Sequence, residues 1–509
     1  MFKKILIANR GEIAVRIIRA CRELGIQSVA VFSEVDRTAL HVRLCNEAYA
    51  IGPAPSRESY LRIDKLLDVA KRAGCDALHP GYGFLAENPA LPKACADAGI
   101  TFIGPPADAM ETLGSKTLGR QLARRVEVPI VPGTNDAIEK VSEAQALAQS
   151  MGYPVLLKAV AGGGGKGMRI VSRDGEFESA FRDAASEATN AFGDGRLYLE
   201  KFLDRPRHIE IQIFADAHGR VVSLGERECS IQRRHQKVVE EAPSPVVTPE
   251  LRKKMGEAAV RLARAGGYVN AGTVEFLVDA NLNFYFLEVN TRLQVEHPVT
   301  EQVTGLDLVK LQIAIAAGHR LPFAWESITP RGHAMEVRLY AEDPDNNFFP
   351  SPGKILGRHA PSGPGIRLDE GVYGGWTVPN DYDPLLSKLI AWGNSREETI
   401  ARLRRALDEY AITGIKTNAA LFRRILTESD FLRGEIHTRW LDELLNRVGS
   451  FAAVPDAPSA NCAGDAAAIA AAIWQATQNA SQSSMVTNAG ESASRWKKEG
   501  RRQLLDRMS

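Results

Sequence analysis

The sequence predicts an α/β protein that begins with a doubly wound parallel sheet and ends with a smaller mixed α+β region. Strand-like and helix-like segments alternate over about the first 110 residues, which indicates parallel strands joined by helices. The middle of the chain carries hairpin patterns with polar–apolar alternation. Residues 331–445 combine short strands, Gly- and Pro-rich turns and a helical pattern. With 509 residues, the chain is long enough for roughly three domains.

The composition excludes several classes of function. A formal net charge of +1 gives no bulk electrostatic attraction to nucleic acid or to an anionic membrane. The sequence has no apolar run near the ~20 residues of a membrane-spanning helix, and the apolar run at residues 5–8 is too short for a signal peptide. The six cysteines are scattered without a C-x-x-C pair, which is typical of a reducing compartment. We therefore expect a cytoplasmic protein with no nucleic-acid or membrane partner.

The elements of the N-terminal sheet follow in chain order. Residues 5–8 predict a buried strand, and apolar residues at helical spacing follow the turn at residues 9–12 as far as Gly25, which suits the position after a helix end. Further strands are predicted at residues 28–32, 77–79 and 101–103, with a helix near residues 60–72 and another after the turn at residues 80–83. A dinucleotide-binding domain is the alternative, but the first turn lacks the G-x-G-x-x-G pattern.

A glycine-rich loop follows a strand that contains one lysine. Residues 155–160 predict this strand, which includes Lys158, and residues 162–167 read Gly-Gly-Gly-Gly-Lys-Gly. The spacing resembles a P-loop, but Met168 stands where the P-loop lysine belongs, and a strand rather than a helix follows. Backbone N–H groups at such a hairpin tip can close over phosphates. A flexible surface turn is the alternative. A lysine in an apolar strand needs an anionic partner if buried, which favours a polyphosphate ligand.

Two further strands precede a run of charged residues. Residues 197–203 and 208–213 are strand-like, and His208, Glu210 and Gln212 share one face of the second strand. Between residues 226 and 241, four acids bracket a cluster of bases. A solvated loop is the default interpretation of such a run. An anion-binding site is the alternative, because the bases lie in the middle.

A predicted hairpin brings two glutamates together. Residues 274–278 and 284–288 flank a turn at residues 279–283, and a symmetric turn places Leu277 opposite Phe286 and Glu275 opposite Glu288. Two carboxylates directly opposite on one face repel each other. A divalent cation between them removes this conflict, and Asn290 can add an oxygen ligand. Oxygen ligands of this kind suit magnesium, which also binds substrate phosphates.

Residues 288–297 are predicted as an extended strand with one unusual polar face. Alternation places Glu288, Asn290, Arg292, Gln294 and Glu296 on the same side, while the other side looks like a core face. A solvated strand face is the alternative. Asn and Gln inside an acid–base–acid row are poor strand formers, so the pattern favours a functional role.

The composition changes after about residue 446, where Ala, Ser and Asn dominate. We expect residues 446–509 to form a partly disordered tail with an alanine-rich helix around residues 465–478. A docking segment is the alternative, which the sequence alone does not favour.

Several motifs in this order resemble the biotin carboxylases of the ATP-grasp superfamily. They are residues 8–14 (ANRGEIA), 79–83 (HPGYG), the glycine loop, 232–237 (QRRHQK) and 288–297 (EVNTRLQVEH), and the likeness covers residues 1–445. The resemblance implies an N-terminal biotin carboxylase domain at residues 1–114, an ATP-grasp domain at residues 115–330 with a mobile lid at about residues 131–203, and a C-terminal domain at residues 331–445.

The resemblance also implies the roles of individual residues. The expected ATP-binding residues are Lys116, Lys158, Gly164, Gly165, Glu200, Lys201, Phe202, Leu203, His208, Gln232, His235, Glu275 and Glu288. The expected ligands of Mg2+ or Mn2+ are Glu275, Glu288 and Asn290. Bicarbonate is expected at Lys237, Arg292, Gln294, Val295 and Glu296, and biotin at Arg338 and Tyr82. Lys237, Arg292, Glu296 and Arg338 are the expected catalytic residues, with Glu296 as the base.

In this family, bicarbonate attacks the γ-phosphate of ATP to give carboxyphosphate, and the carboxyl group then reaches biotin. The chain has no Met-Lys-Met sequence, the biotin attachment motif of such carriers, so biotin is expected on a separate carboxyl carrier protein. The expected partners are this carrier and carboxyltransferase subunits, as in acetyl-CoA or other acyl-CoA carboxylases of fatty acid biosynthesis. A homodimer is also expected.

Two other functions remain open. Another ATP-grasp enzyme that joins a carboxylate to an amine is the first, and Arg338 together with the bicarbonate residues argues against it. A catalytically silent scaffold that binds a carrier protein is the second, and the presence of every expected ligand argues against that.

Overall fold

The computed structural model describes residues 1–134, 137–138, 140–160, 168–323 and 328–447. The chain divides into two units, Met1–Ala452 and Ala453–Ser509, and all described residues belong to the first. The expected tail helix around residues 465–478 therefore lies outside the described residues. So do Gly164 and Gly165. Among the helices that are described, none combines the length and the apolar character needed to cross a membrane.

The N-terminal part is a parallel five-stranded sheet with the order β3-β2-β1-β4-β5, which confirms the predicted doubly wound sheet. Its elements are β1 (Lys4–Ile7), α1 (Gly11–Glu23), β2 (Gln27–Ser33), α2 (Leu40–Leu44), β3 (Glu47–Gly52), α3 (Ile63–Arg72), β4 (Ala77–His79), α4 (Ala90–Asp97) and β5 (Thr101–Phe102). The sequence analysis missed β3, an edge strand in which Ile51 is the one buried residue. Gly25 follows α1 with a φ of +70°, as predicted.

Four helices and a small separate sheet follow. They are α5 (Ala107–Gly114), α6 (Lys116–Arg125), α7 (Val141–Met151), β6 (Val155–Ala159), β7 (Met168–Val171), α8 (Phe177–Phe192) and β8 (Leu197–Lys201). The three strands are antiparallel in the order β7-β6-β8. Their inward side chains pack with Phe177 and Ala184 of α8 into one core. The strand predicted at residues 197–203 is shorter than expected, because β8 ends at Lys201.

The largest sheet has eight strands in the order β13-β12-β9-β10-β11-β14-β21-β19. Its first part contains β9 (Arg207–Ala215), β10 (Val221–Arg233), β11 (Gln236–Ala242), α9 (Pro249–Ala265), β12 (Asn270–Val278), β13 (Phe284–Asn290), α10 (His297–Thr304) and α11 (Leu308–Ala316). The charged run at residues 226–241 is not a solvated loop. It forms the β10–β11 hairpin, and most of its side chains are buried. Burial is possible because partners from other elements compensate the charges; Arg252, for example, binds Glu226 at 2.6 Å.

The C-terminal elements extend the same sheet. They are β14 (His333–Tyr340), β15 (Glu342–Asp343), β16 (Phe349–Pro350), β17 (Gly353–Lys354), β18 (Gly357–His359), β19 (Ile366–Glu370), β20 (Thr377–Val378), β21 (Leu385–Gly393), α12 (Arg396–Glu409), β22 (Ala411–Thr413), α13 (Ala419–Ile425), α14 (Ser429–Leu432) and α15 (Trp440–Arg447). Strand β14 pairs with β11 on one side and with β21 on the other. The hydrogen-bonded sheet is therefore continuous across the predicted boundary at residue 330.

The prediction of a strand at residues 288–297 is wrong beyond Asn290. Strand β13 ends there, residues 291–296 form an irregular segment, and α10 begins at His297. Leu293 is fully buried, so the core-face prediction for this residue holds without a strand. The segment at residues 291–296 is called the polar loop below.

Candidate functional site

The two glutamates of the predicted hairpin do face each other. Glu275 of β12 pairs with Glu288 of β13. The turn is not symmetric, however, because Leu277 pairs with Tyr285 rather than with Phe286, and an irregularity between residues 275 and 276 shifts the register by one. Glu275 is buried and Glu288 is half-buried. A cavity of about 380 Å3 lies beside Glu288 and Asn290, so a ligand has access to Glu288.

Lys237 joins three acids at one point. Its Nζ lies 2.5 Å from Glu210, 2.7 Å from Glu275 and 2.8 Å from Glu296. Burial lowers the pKa of Lys237, but the three carboxylates outweigh this effect and hold it well above its ordinary value. The Lys237 side chain is therefore a fixed positive charge, and its three partners belong to three different strands or loops.

Glu296 is fully buried between two cations. Its Oε1 accepts a hydrogen bond from Lys237 at 2.8 Å, and its Oε2 accepts one from Arg338 at 2.9 Å. Burial raises the pKa of Glu296, but Lys237, Arg338 and Arg227 lower it by more than burial raises it. The pKa of Glu296 is therefore well below its ordinary value. The carboxylate is therefore ionised and directed by two donors.

The polar loop is held from both sides. Glu87 accepts hydrogen bonds from the backbone N–H of Thr291 at 3.1 Å and from Arg292 Nε at 2.9 Å. Lys388 of β21, which is fully buried, donates to the Val295 carbonyl at 2.8 Å and lies 3.2 Å from Glu12. Contacts distant in sequence thus fix the loop, and regular strand pairing is not needed.

The loop's polar side chains converge on the glutamates. Gln294 Nε2 donates to Glu275 at 3.2 Å, and Asn290 Nδ2 donates to the same oxygen at 2.7 Å. Arg292 donates to Gln294 Oε1 at 3.1 Å and to Asn290 Oδ1 at 3.2 Å. The structure therefore brings together Asn290, Arg292, Gln294 and Glu296 as the sequence predicts, but on an irregular loop.

A histidine lies on the other side of Glu275. His208 Nε2 lies 3.0 Å from Glu275 Oε2, and its Nδ1 lies 3.0 Å from Gln232 Nε2. Burial raises the pKa of Glu275, yet Lys237 and His208 lower it more, to well below its ordinary value. His235 is exposed at the tip of the β10–β11 hairpin.

The expected phosphate- and adenine-side residues are engaged in contacts within the protein. Lys116 begins α6, and its Nζ lies 3.3 Å from Glu288. Lys158 donates to Glu200 at 3.0 Å, so the anionic partner expected for this lysine is a carboxylate of β8. Lys201 Nζ donates to the Gly152 carbonyl at 2.8 Å. Beyond β8, the Phe202 N–H donates to the Pro154 carbonyl at 3.2 Å, and Leu203 is half-buried.

Tyr82 lies at the junction of the N-terminal and C-terminal parts. Its hydroxyl is buried and has no hydrogen-bond partner among the described residues. Lys388 Nζ lies 5.8 Å from the centre of its ring. An unsatisfied buried hydroxyl is costly, which favours a polar ligand or a water molecule at this position.

Sequence reasoning missed four residues of the site: Glu87, Arg120, Glu210 and Lys388. Glu210 alternates with His208 and Gln212, so its strand face already indicated it. Lys388 stands in an apolar strand, the same signal that identified Lys158. Glu87 binds Arg292 and Arg120 binds Glu200, and in each pair the two residues lie far apart in sequence. The sequence contains no local signal for either contact.

Comparison with known proteins identifies the family. Residues 1–110 match the biotin carboxylase N-terminal domain, residues 115–324 match the ATP-binding domain of the carbamoyl-phosphate synthase L chain, and residues 336–443 match the biotin carboxylase C-terminal domain. The biotin carboxylase of Halalkalibacterium halodurans is 54% identical over 441 residues, which are 87% of this chain and 97% of that protein. This chain belongs to the biotin carboxylase family. The predicted resemblance is therefore confirmed.

Two further members of the biotin carboxylase family show its range. A pyruvate carboxylase subunit of Methanothermobacter thermautotrophicus is 55% identical over 444 residues, which are 87% of this chain and 90% of that protein. The biotin carboxylase domain dimer of Hydrogenobacter thermophilus 2-oxoglutarate carboxylase was solved with MgADP, ADP and bicarbonate. It matches with a TM-score of 0.81 and 48% identity, covering 87% of this chain and 98% of that one.

Proposed function

We propose that this chain uses ATP and bicarbonate to carboxylate biotin on a separate carrier protein. The observation that carries the proposal is the buried Glu296 carboxylate between Lys237 and Arg338. It combines an acceptor for a proton with two cations for anionic substrates. The carboxylate pair at Glu275 and Glu288 lies beside it, joined through Lys237.

The phosphate side provides charge neutralisation. Lys116 and Lys158 would bind the phosphates of ATP, releasing Glu288 and Glu200 from their present ion pairs. We also assign the glycine loop with Gly164 and Gly165 to the phosphates. Glu200 to Leu203 are assigned to the adenine, with His208, Gln232 and His235 around the nucleotide.

The donor set fits a magnesium ion. Glu275, Glu288 and Asn290 offer only hard oxygen ligands, and the like-charged pair has a reason to bind a cation. When bound, Mg2+ (or Mn2+) would neutralise the phosphate charge that develops during transfer. Asn290 Oδ1 now accepts from Arg292, and this hydrogen bond would be exchanged for the ion.

Bicarbonate is assigned to Lys237, Arg292, Gln294 and the Val295 backbone, together with Glu296. Glu296 would take the proton of bicarbonate. The deprotonated bicarbonate would then attack the γ-phosphate of ATP, forming carboxyphosphate and releasing ADP. A carboxylate with a low pKa is a weak base. An anionic substrate that shares Lys237 would raise the pKa of Glu296, because it reduces the stabilisation of the charged carboxylate. The substrate thus activates its own base.

Biotin is assigned to Arg338 and Tyr82. Carboxyphosphate breaks down to CO2 and phosphate, and this phosphate would accept the proton from the N1 atom of biotin. Arg338 would stabilise the negative charge that develops on the ureido oxygen while the nitrogen captures CO2. The buried hydroxyl of Tyr82, which lacks a hydrogen-bond partner in the described part of the chain, supports a polar ligand at this position.

The partners follow from the reaction. A carboxylated carrier has to deliver its group to a carboxyltransferase, and we propose an acyl-CoA, most simply acetyl-CoA, as the final acceptor. Pyruvate is the alternative suggested by the name of the archaeal relative. A homodimer is supported by the dimeric Hydrogenobacter domain, and we propose the cytoplasm as the location.

A coupled assay of ADP release tests the proposal with the purified chain and free biotin. We expect turnover of ATP to require Mg2+ and bicarbonate and to increase when biotin is added. Turnover that ignores bicarbonate, or that requires an amine instead, would identify a different ATP-grasp ligase. A protein that binds the nucleotide without any turnover would be a scaffold.

The metal assignment gives a separate prediction. Glu288→Gln should raise the Mg2+ concentration needed for half-maximal turnover by about 10–100-fold, because it removes one anionic ligand. The matched control is Glu111→Gln, which alters another acid of the same cavity whose partner is Lys93. A magnesium titration compares the two variants. Equal curves for Glu288→Gln and the wild type would contradict the site.

A further inference from the structure

Two acids form a buried pair behind the proposed base. Glu240 of β11 and Glu336 of β14 stand directly opposite each other in the sheet register. Both side chains are buried, with 1% and 0% of their surface exposed. Directly opposite side chains of a sheet have Cβ atoms roughly 4.5–5.5 Å apart, so the two carboxyl groups share one small volume.

This pair lacks the donors that two buried anions require. Neither oxygen of Glu336 accepts a hydrogen bond from any described residue. Arg338 Nη2 lies 2.6 Å from Glu240 Oε1 as an ion pair, and the same nitrogen lies 2.9 Å from Glu296 Oε2. Two ionised carboxylates in this environment would repel strongly, whereas one proton between them removes the conflict. Glu240 has the arginine as its partner, so Glu336 is the group that binds the proton.

Other charged and titratable groups face the pair from every neighbouring element. Strand β10 contributes Cys229, β14 contributes Arg338 and Tyr340, β21 contributes Lys388, the polar loop contributes Glu296, and β11 itself contributes Lys237. Burial raises the pKa of Glu240 to about 7, and Glu296 adds to this while Arg338 and Lys237 oppose it. Burial also raises the pKa of Glu336 well above its ordinary value.

We propose that Glu336 stays protonated and that ionised Glu240 is a positioning residue, which fixes Arg338 independently of Glu296. The inference rests on the proposed function. When Glu296 takes the proton of bicarbonate, it no longer attracts Arg338 as an anion. Glu240 then remains the anionic partner of the arginine and holds it in place for biotin. Two acids therefore hold Arg338 in place, and only one of them, Glu296, changes charge during the reaction.

The first test compares biotin kinetics in two isosteric variants. Glu240→Gln should raise the KM for free biotin about tenfold or more, because it removes a charged partner of Arg338. Bicarbonate-dependent ATP hydrolysis without biotin should be unchanged. Glu336→Gln should leave the KM for biotin unchanged, because glutamine resembles a protonated glutamate. Equal KM values for Glu240→Gln and the wild type, or equal increases in the two variants, would overturn the inference.

The pH dependence separates positioning from a structural role. In the wild type, the KM for biotin should rise as the pH falls through about 7, since Glu240 becomes neutral. This rise should persist in Glu336→Gln and vanish in Glu240→Gln. Glu241→Gln is the stability control, because Glu241 is buried on the same strand but binds His333 and Arg396. Its KM for biotin should stay at the wild-type value; a similar rise there would make the effect structural.

An infrared difference spectrum tests the proton without any turnover. At pH 7.5, the wild-type spectrum minus that of Glu336→Gln should show the band of one neutral carboxyl group, sensitive to D2O, whereas the wild-type spectrum minus that of Glu240→Gln should not. Retention of this band in Glu336→Gln would overturn the protonation. A wild-type chain that never responds to bicarbonate or biotin would refute the proposed function, and the infrared result would still decide the state of Glu336.

Discussion

Glu296→Gln is expected to lower bicarbonate-dependent turnover by about 10²–10⁴-fold, the range for loss of a general base. The substitution retains the shape of the side chain but removes the proton acceptor. Binding of MgATP should remain close to that of the wild type, because Glu296 is not assigned to the nucleotide. Initial rates of ADP release and equilibrium binding of MgATP measure the two effects separately.

Glutamine is the informative replacement, because alanine would do more than remove the base. Glu296 is fully buried between Lys237 and Arg338, and an alanine would leave two buried cations short of a partner. Removing one member of a buried ion pair commonly costs about 3–5 kcal/mol of folding free energy. Glu241→Gln is again the matched control, since Glu241 is a buried glutamate with two cationic partners, His333 and Arg396, away from the site. Wild-type turnover in Glu296→Gln would exclude this residue as the base.

The hairpin with Glu275 and Glu288 could be predicted from the sequence because its information is local. The turn at residues 279–283 and the strand patterns on either side set the pairing of the two glutamates. A one-residue irregularity changed the pairing near the turn but left this pair intact. Period-2 patterning and turn residues are short-range signals, which explains why the pairing of the two glutamates proposed to bind the metal followed from them.

The polar loop could not be predicted, because distant residues determine its shape. Alternation continues from Glu288 to Glu296, yet the chain leaves the sheet after Asn290. Glu87 and Lys388, about two hundred residues before and about ninety after the loop in sequence, replace the strand hydrogen bonds. The solvated-loop interpretation of residues 226–241 is wrong for the same reason. The charges of this run are compensated by residues outside the run, such as Arg252.

The identities of the substrates came from the family resemblance alone. Carboxylates, lysines and arginines at this spacing indicate a metal–phosphate site and an anion site, and those follow from the chemistry of the side chains. Bicarbonate and biotin do not follow from it, since other small anions and other ureido or amide groups meet the same donors. The confirmed membership in the biotin carboxylase family selects among these ligands.

His79 gives a prediction about stability rather than activity. It is fully buried at the end of β4, and its Nδ1 accepts a hydrogen bond from the Gly81 N–H at 3.0 Å. Burial lowers the pKa of His79 to about 3, and Arg16 adds to this effect while Gln312 opposes it. In the unfolded chain its pKa is about 6.5. Between these two values the unfolded chain binds a proton that the folded chain does not, so acid destabilises the folded state.

The size of this effect follows from linkage. The stability contributed by neutral His79 is complete above pH 6.5 and falls by about 1.4 kcal/mol for each pH unit below it, or roughly 3 kcal/mol by pH 4.5. Buried acids with a raised pKa, such as Glu12 at about 7, act in the opposite direction over the same range. The total stability of the protein therefore conceals the contribution of one histidine, and a difference between two variants isolates it.

His79→Asn is the suitable variant, because the asparagine oxygen can accept the same N–H of Gly81. We expect the free energy of unfolding of the wild type, relative to this variant, to fall by roughly 3 kcal/mol between pH 8 and 4.5. Urea titrations at four pH values measure the difference, and His359→Asn, which replaces an exposed histidine of β18, controls for the substitution itself. A constant difference between the wild type and His79→Asn would show that His79 ionises alike in the folded and unfolded chains. The role of His79 in the HPGYG motif would then be packing. It would not be to provide a neutral imidazole that holds the turn before Tyr82, the residue proposed to bind biotin.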